Sequence, residues 1–442
     1  MLHTFPKGGV HPAENKLSAE EGIKTLPLPK TVNIPLSQHI GAPAEVLVNR
    51  GDIIKAGEII GKSRGFVSSN IHSSVSGKVA KADKTLDSSG YKRISITIEV
   101  DGDQWLPEID QSNNLKKEIT VSAEEIVKKT LEAGVVGMGG ATFPSHVKLS
   151  VPRGKKADLV ILNGVECEPY LTSDHRLMME KGEEIVIGLK LIMKALNVEK
   201  GIIGIENNKP DAIDHLRKIV ENYSDISVAP LKVKYPQGGE KQLIKALTGR
   251  EVPSGGLPIE VGTVVHNVGT AFAIYEAIQK NKPLIERVVT VTGKDVKNPS
   301  NFMVRIGTPV TQLVEAAGGV PGGTAKIVNG GPMMGKALNS LDVPVMKGTS
   351  GILLFPESES KRKSIGPCIR CAKCISVCPM GLEPFLLMTL TEKEMLDRVE
   401  SEKALDCIEC GSCSYICPAN RPLLDYIRLG KLKVGQIIRN RK

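Results

Sequence analysis

Eight of the nine cysteines lie between Cys368 and Cys417, in two runs of identical spacing. These are Cys368-x2-Cys371-x2-Cys374-x3-Cys378-Pro379 and Cys407-x2-Cys410-x2-Cys413-x3-Cys417-Pro418. Clustering of this kind, in a chain that reads as cytosolic, points to metal rather than disulfides. The spacing is that of bacterial [4Fe-4S] runs, in which three thiolates of one run share a cubane and the fourth, beside proline, crosses to the neighbouring cluster. The expected ligand sets are Cys368, Cys371, Cys374 with Cys417, and Cys407, Cys410, Cys413 with Cys378. Four thiolates also suit zinc, but zinc ribbons do not normally carry the third x2-spaced cysteine or the x3-Cys-Pro ending. Two cubane clusters move single electrons, so something upstream must supply or take them.

A second segment has the composition of a phosphate cradle. Gly137-Met138-Gly139-Gly140-Ala141-Thr142-Phe143-Pro144, with Lys148 beyond, offers bare backbone amides and a nearby cation. It follows a helical pattern rather than a strand, so it is not the Rossmann fingerprint, and alone it reads equally as a flexible connector. Downstream lie the acidic Asn163-Gly164-Val165-Glu166-Cys167-Glu168-Pro169, then Gly238-Gly239-Glu240, then Val264-Val265-His266-Asn267-Val268-Gly269-Thr270. Glu166 and Glu168, taken alone, read as solvated loop acids. Cys167, between two acids, should have its thiolate disfavoured and is not expected to be a nucleophile. His146, His175 and His266 read as structural or surface residues, because no histidine pair has a ligand spacing such as His-x3-His.

The elements that must position these groups follow from composition and periodicity. With 442 residues there is room for about three domains. Apolar residues at 41% and charged residues at 24% exclude a disordered or fibrous chain. Aromatics at 3% leave no stacking platform, so nucleic acid is not expected as a partner. The net charge of +9 suits anionic cofactors, acidic partners or a membrane surface without choosing among them. No apolar run reaches the roughly 18 residues of a membrane span, and the first residues lack a signal-peptide pattern. Short Gly-punctuated strands around Val46, Ile53, Ile59, Val79 and Ile96 predict an N-terminal β sandwich. Ser122 and Glu125 form a capping box for a helix that stops at Gly134. Strand-like runs at 158–162, 201–205 and 226–233 then alternate with helical patterns at 183–196, 210–223 and 240–247, which argues for a parallel α/β layer. A strand from Val288, a helix over 310–317 and Asn329-Gly330-Gly331-Pro332-Met333 predict a small α+β domain. A polar connector, 357–363, leads to the cysteines, and 383–402 between the two runs reads as helix.

In this order the glycine-rich, acidic, Gly-Glu and Asn-Val-x-Thr stretches resemble the motifs of the flavin and NADH-binding subunit of respiratory complex I. The N-terminal β module resembles the barrel-sandwich hybrid of lipoyl and biotinyl carriers, although its hairpin, Lys62-Ser63-Arg64-Gly65-Phe66, lacks their lysine-centred attachment motif. The Gly-Gly-Pro-Met segment resembles the SLBB β-grasp module. The whole arrangement resembles the C-subunit family of Rnf complexes, ion-translocating ferredoxin:NAD oxidoreductases. The resemblance implies a multidomain α/β and α+β chain: a barrel-sandwich-like β domain over 1–115, a Rossmann-like FMN/NADH α/β domain over 116–284, an SLBB β-grasp-like domain over 285–356, a helical two-[4Fe-4S] ferredoxin-like domain over 357–426 and a basic tail over 427–442. It implies FMN held noncovalently, two [4Fe-4S] clusters and NAD+/NADH. Gly137, Gly139, Gly140 and Lys148 would cradle FMN, and Asn163, Asn267 and Thr270 would hold its polar edge or ribityl chain. Glu166, Glu168, Gly239 and Glu240 would border the nicotinamide nucleotide, with Phe143 stacking on adenine. Met138, Val165 and Lys241 depart from the complex I motifs, which bears on nucleotide preference.

The implied function is the peripheral NAD(H)-reacting subunit of a membrane-bound complex, at the cytoplasmic face of the cell membrane. Its expected partners are integral membrane and iron-sulfur subunits and, indirectly, ferredoxin, with Na+ or H+ moved by the partners. No side-chain acid or base is expected in catalysis. Two alternatives stand beside it: the flavin/iron-sulfur subunit of a soluble NADH-dependent hydrogenase or formate dehydrogenase, and a non-flavin electron-transfer scaffold. The tail after Ile427, basic and amphipathic, reads equally as a docking segment for anionic lipid or another subunit and as a solvated terminus.

Overall fold

The computed structural model describes residues 2–441. Along the chain, β1 (Ile23–Thr25) is followed by β2 (Thr31–Pro35), β3 (Glu45–Val46), β4 (Ile53–Ile54), β5 (Ile59–Lys62), β6 (Ile71–His72), β7 (Gly77–Leu86) and β8 (Lys92–Val100). Two sheets, β2-β8-β7-β4 and β3-β5-β6, close on a core of Val32, Ile34, Ile60, Ile71, Val79 and Ile98. This is the expected β sandwich.

The next unit runs α1 (Ala123–Glu132), α2 (Ser145–Leu149), β9 (Leu159–Asn163), α3 (Ser173–Glu180), α4 (Gly182–Leu196), β10 (Gly201–Glu206), α5 (Pro210–Val220), β11 (Ile226–Leu231), α6 (Glu240–Thr248), β12 (Thr263–Asn267) and α7 (Val268–Gln279). Ser122 caps α1 through the reciprocal bonds with Glu125, and Gly134 follows in the left-handed region at φ 66°. The sheet is wholly parallel, ordered β11-β10-β9-β12. Both of its faces are covered, which is why β9 reads as an unbroken apolar run. Val160 and Leu162 face the core shared with α4 and α7, whereas Leu159 and Ile161 face Leu243 and Ile244 of α6.

A six-stranded sheet follows, built from β13 (Glu286–Thr292), β14 (Ser300–Arg305), β15 (Thr324–Asn329), β16 (Lys336–Ala337) and β17 (Gly351–Pro356), with α8 (Val310–Ala316) packed on it. Its edge strand is β1, parallel to β14, so residues near the N-terminus complete a sheet whose other strands lie some hundreds of positions later.

The cysteine region contains α9 (Glu357–Ser360), α10 (Lys373–Ser376), α11 (Pro384–Glu392), α12 (Leu396–Ser401), α13 (Ser412–Ile416) and α14 (Leu423–Asn440). The helix expected over 383–402 is two helices, broken where Glu394 takes φ 55°. The basic tail is the continuation of α14, so the division expected at 426/427 falls inside one helix. Ile427 and Val434 are buried in the cluster core, and Lys433 and Arg441 pair with Glu394 and Glu400 at 2.7 and 2.9 Å. The segment is therefore anchored on its own domain, and Leu429 and Leu432 are its exposed apolar residues.

Candidate functional site

In an open α/β sheet, ligands bind beyond the carboxyl ends of the strands, where the strand order reverses. Here the chain steps outward from β9 to β10 to β11 and then returns to place β12 on the other side of β9. The reversal lies between β9 and β12. Their last residues, Asn163 and Asn267, are register partners, and both belong to the expected site.

Asn267 caps α7, its side chain accepting from Gly269 N at 2.8 Å. Its Nδ2 donates to Asp174 at 2.6 Å. Asn163 Nδ2 donates to the Gly238 carbonyl at 2.8 Å. The glycine-rich loop closes over this pair: Met138 N donates to Thr270 Oγ1 at 2.9 Å, and Gly137 N donates to the Phe143 carbonyl at 2.9 Å. A Cβ on Gly139 would stand 2.7 Å from Asn267 Nδ2, so only glycine permits this approach. Gly139 and Gly140 are exposed, and nothing stands within 4 Å of where a Gly140 Cβ would be. Lys148 bridges to the Gly-Glu motif, donating to Glu240 at 2.6 Å and to the Val265 carbonyl at 3.0 Å. Gly239 caps α6, whose first residue is Glu240. Bare amides, a lysine and the N-termini of α6 and α7 at one sheet edge fit a phosphate-bearing flavin nucleotide.

The two loop acids are engaged within the protein. Glu166, at φ 45°, caps α3 by accepting from Asp174 N at 2.8 Å and His175 N at 3.1 Å. Glu168 accepts from Met333 N and Met334 N at 3.0 and 2.8 Å, tying the loop to the Gly-Gly-Pro-Met segment. Burial pushes Glu168 up to about 7. Asp174, which no motif in the sequence singles out, is also pushed up to about 7, by burial first and by Glu166 second. Arg287 faces both acids; burial lowers it to about 10 against their pull. The Cys167 thiol is pushed up, chiefly by burial and then by Glu206; the adjacent Glu168 contributes less. His146 Nε2 donates to the Phe66 carbonyl at 3.0 Å, His175 pairs with Asp211 at 2.8 Å, and burial lowers His266 to about 3. All three are buried rather than at the surface.

The cysteines assemble as two unlike groups. Cys378, Cys407, Cys410 and Cys413 line one apolar cavity with Met380 and Ile427. Cys378 of the first run thus lies among three cysteines of the second, and Cys417 in turn lies near Cys374. Cys368 and Cys371 are exposed. Among the described residues, no three His, Cys, Asp or Glu side chains converge on a single-ion position. Four thiols around an open cavity fit a cubane. This cavity adjoins the flavin-type unit: Tyr235, three residues before Gly238, donates to the Cys410 carbonyl at 2.8 Å.

Four family models match in sequence: the RnfC barrel sandwich hybrid domain at 3–103, the Nuo51 FMN-binding domain at 130–276, the SLBB domain at 288–337 and a 4Fe-4S dicluster domain at 361–418. The chain is 48% identical to the C subunit of the proton-translocating ferredoxin:NAD(+) oxidoreductase complex of Clostridium ljungdahlii, over 97% of this chain and 93% of that one. It is 48% identical to the C subunit of the Na(+)-translocating ferredoxin:NAD(+) oxidoreductase complex of Acetobacterium woodii, over 98% of both. The C subunit of the ion-translocating oxidoreductase complex of Rhodobacter capsulatus is 42% identical, over 97% of this chain and 83% of that one. Among solved structures, an NAD+-reducing [NiFe]-hydrogenase in the H2-reduced state has a similar fold, with a TM-score of 0.50 at 19% identity over 71% of this chain and 62% of that one.

Proposed function

Because the chain belongs to the C-subunit family of Rnf ion-translocating ferredoxin:NAD(+) oxidoreductase complexes, we propose that the β9/β12 crevice is where it exchanges electrons with a nicotinamide nucleotide. It is an oxidoreductase component with an FMN-binding domain and a 4Fe-4S dicluster domain, and it works beside the other subunits of a membrane-associated complex. Among the described residues no helix is long and apolar enough to cross a membrane. In our reading ion movement belongs to the partner subunits, and this subunit sits peripherally at the cytoplasmic face.

The observation that carries the reading is the convergence of the Asn163–Asn267 pair with the exposed Gly139 and Gly140 at the strand reversal. Bound there, FMN would supply the exchange between two-electron and one-electron transfer that joins a nicotinamide to a cubane cluster. Gly137, Gly139 and Gly140 would present amides to its phosphate, with Lys148 adding charge. Asn163, Asn267 and Thr270 would fix its polar edge. Glu240, Gly239 and the loop bearing Glu166 and Glu168 would border the nicotinamide nucleotide, with Phe143 against its adenine. The eight cysteines would hold the two clusters in crossed sets, as Cys378 among the second run suggests.

An anaerobic NADH titration of the purified chain, with iron, zinc and FMN measured beforehand, tests this. Flavin bleaching followed by reduced [4Fe-4S] signals in EPR is the expected result. Flavin bleaching with clusters left oxidised would mean cluster potentials too low for NADH, the situation of ferredoxin-driven NAD+ reduction. A chain that holds clusters but takes no FMN on reconstitution would overturn the flavin site and leave an electron-transfer scaffold.

A further inference from the structure

The residues ahead of β1 run as a strap across the flavin-type unit and the cluster domain. His3 bridges to Leu231 and Val10 to Tyr235, extending the chain along the β11 side. Between them Gly9 N donates to the Val377 carbonyl at 2.8 Å, and a Cβ on Gly8 would stand 2.6 Å from the backbone of Cys378. The strap then turns at Asn15, φ 45°, and delivers Lys16 beneath the acidic loop.

There the Lys16 ammonium donates to three carbonyls of one loop: Glu166 at 2.8 Å, Glu168 at 2.9 Å and Leu171 at 2.7 Å. An ammonium has three protons, and all three are used. A second lysine, Lys209, donates to the Val165 carbonyl of the same loop at 2.9 Å. The loop requires this help because Glu166 and Tyr170 sit at φ 45° and 70°, a conformation that costs on the order of 1–3 kcal/mol at a non-glycine residue. Of the loop carbonyls held by the two lysines, that of Glu166 belongs to one of these residues, and Lys209 also pairs with the buried Glu206 carboxylate at 3.7 Å.

We propose that Lys16 is a positioning residue for the nicotinamide side of the flavin site, a cation carried in from the N-terminal strap to set the 163–171 loop. The inference rests on the reading of the β9/β12 crevice given above. It also makes the strap a mechanical link, since the same segment that seats the loop packs against Cys378 at the neighbouring cluster cavity.

The test compares Lys16→Met with Lys30→Met, an exposed lysine beyond the strap, in the full chain with both clusters assembled. Amide hydrogen exchange of residues 164–172 should accelerate by about tenfold or more in K16M and stay at the wild-type rate in K30M. The Michaelis constant for NADH should rise by a similar factor while EPR spectra of the clusters stay unchanged. Wild-type exchange in K16M would overturn the staple. Faster exchange with an unchanged Michaelis constant and unchanged FMN affinity would overturn the positioning role. If K16M does not fold, Lys209→Met must reproduce the same split between exchange and cluster spectra, or the proposal falls. A wild-type chain that takes no FMN overturns the reading of the crevice and the positioning role that rests on it, whereas the exchange measurement still decides the staple.

Discussion

The two cysteine groups have the same spacing and opposite surroundings. Cys378, Cys410 and Cys413 are buried, and their cavity is walled by apolar residues, while Cys368 and Cys371 are exposed. Thiol sulfurs of the buried group accept main-chain N–H bonds from Leu382 and Glu409, at 3.4 Å each, and Cys410 pairs with the Ser412 hydroxyl at 3.4 Å; Cys417 of the exposed group accepts one, from Arg421 at 3.4 Å. Around Cys410 gather Val10 of the strap, Tyr235 of the flavin-type unit and Met333 of the β-grasp-like unit. One motif, used twice, thus has two settings: an inner one built into the junction of four segments and an outer one open to solvent.

That asymmetry predicts unequal consequences for equal substitutions. Cys413→Ala should cost more than about 4 kcal/mol, because the lost cluster is also the filling of a buried cavity. Cys371→Ala should remove about half the iron with a much smaller fall in melting temperature. Iron analysis and thermal unfolding of the two variants check this, and equal melting temperatures would abolish the distinction. Next in size is Ile427→Ala on α14, which opens a cavity beside the inner group and should cost roughly 2–5 kcal/mol. Its EPR change should be confined to the inner cluster.

A pH dependence sharpens the contrast at the junction. Glu168 is raised by burial from 4.5 to about 7, so the folded state favours its protonated form. Stability from this group is complete below about pH 4.5 and is lost as pH rises through about 7, at no more than about 1.4 kcal/mol per pH unit. Glu168→Gln should flatten that portion of the stability profile measured by chemical unfolding. A profile unchanged by the substitution would show that Glu168 titrates normally.

The local parts of this architecture are legible in sequence, and the long-range parts are not. The x2 and x3 spacings, the Ser122 capping box and the apolar run of β9 each act within a few residues of themselves. Lys16 works on carbonyls about 150 positions away, and β1 pairs with a strand near residue 301, so no local pattern marks either. The break at Glu394 carries no glycine or proline, and the left-handed turn comes from residues that read as helix formers. A motif marks Glu166 and Glu168; the Glu166 carboxylate turns to Asp174 N eight residues on, but that of Glu168 reaches Met333 N only with the neighbouring unit in place.

The smallest effect tests whether the inner end is coupled to the flavin-type unit by more than proximity. Tyr235 is buried, and its hydroxyl donates to the carbonyl of Cys410 at 2.8 Å, with the Glu168 carboxylate also close to it. Tyr235→Phe keeps the ring in the contact with Val10 and Cys410 and deletes that bond together with the hydroxyl's interaction with Glu168, so stability should fall by about 1 kcal/mol. Hydrogen bonding near a cluster ligand is one of the factors that set cluster potentials. The midpoint potential of the inner cluster should therefore move by tens of millivolts at most, while that of the outer cluster stays where it was. A shift in both would mean that the bond supports the dicluster fold as a whole, and a shift in neither would reduce Tyr235 to a packing residue at the junction.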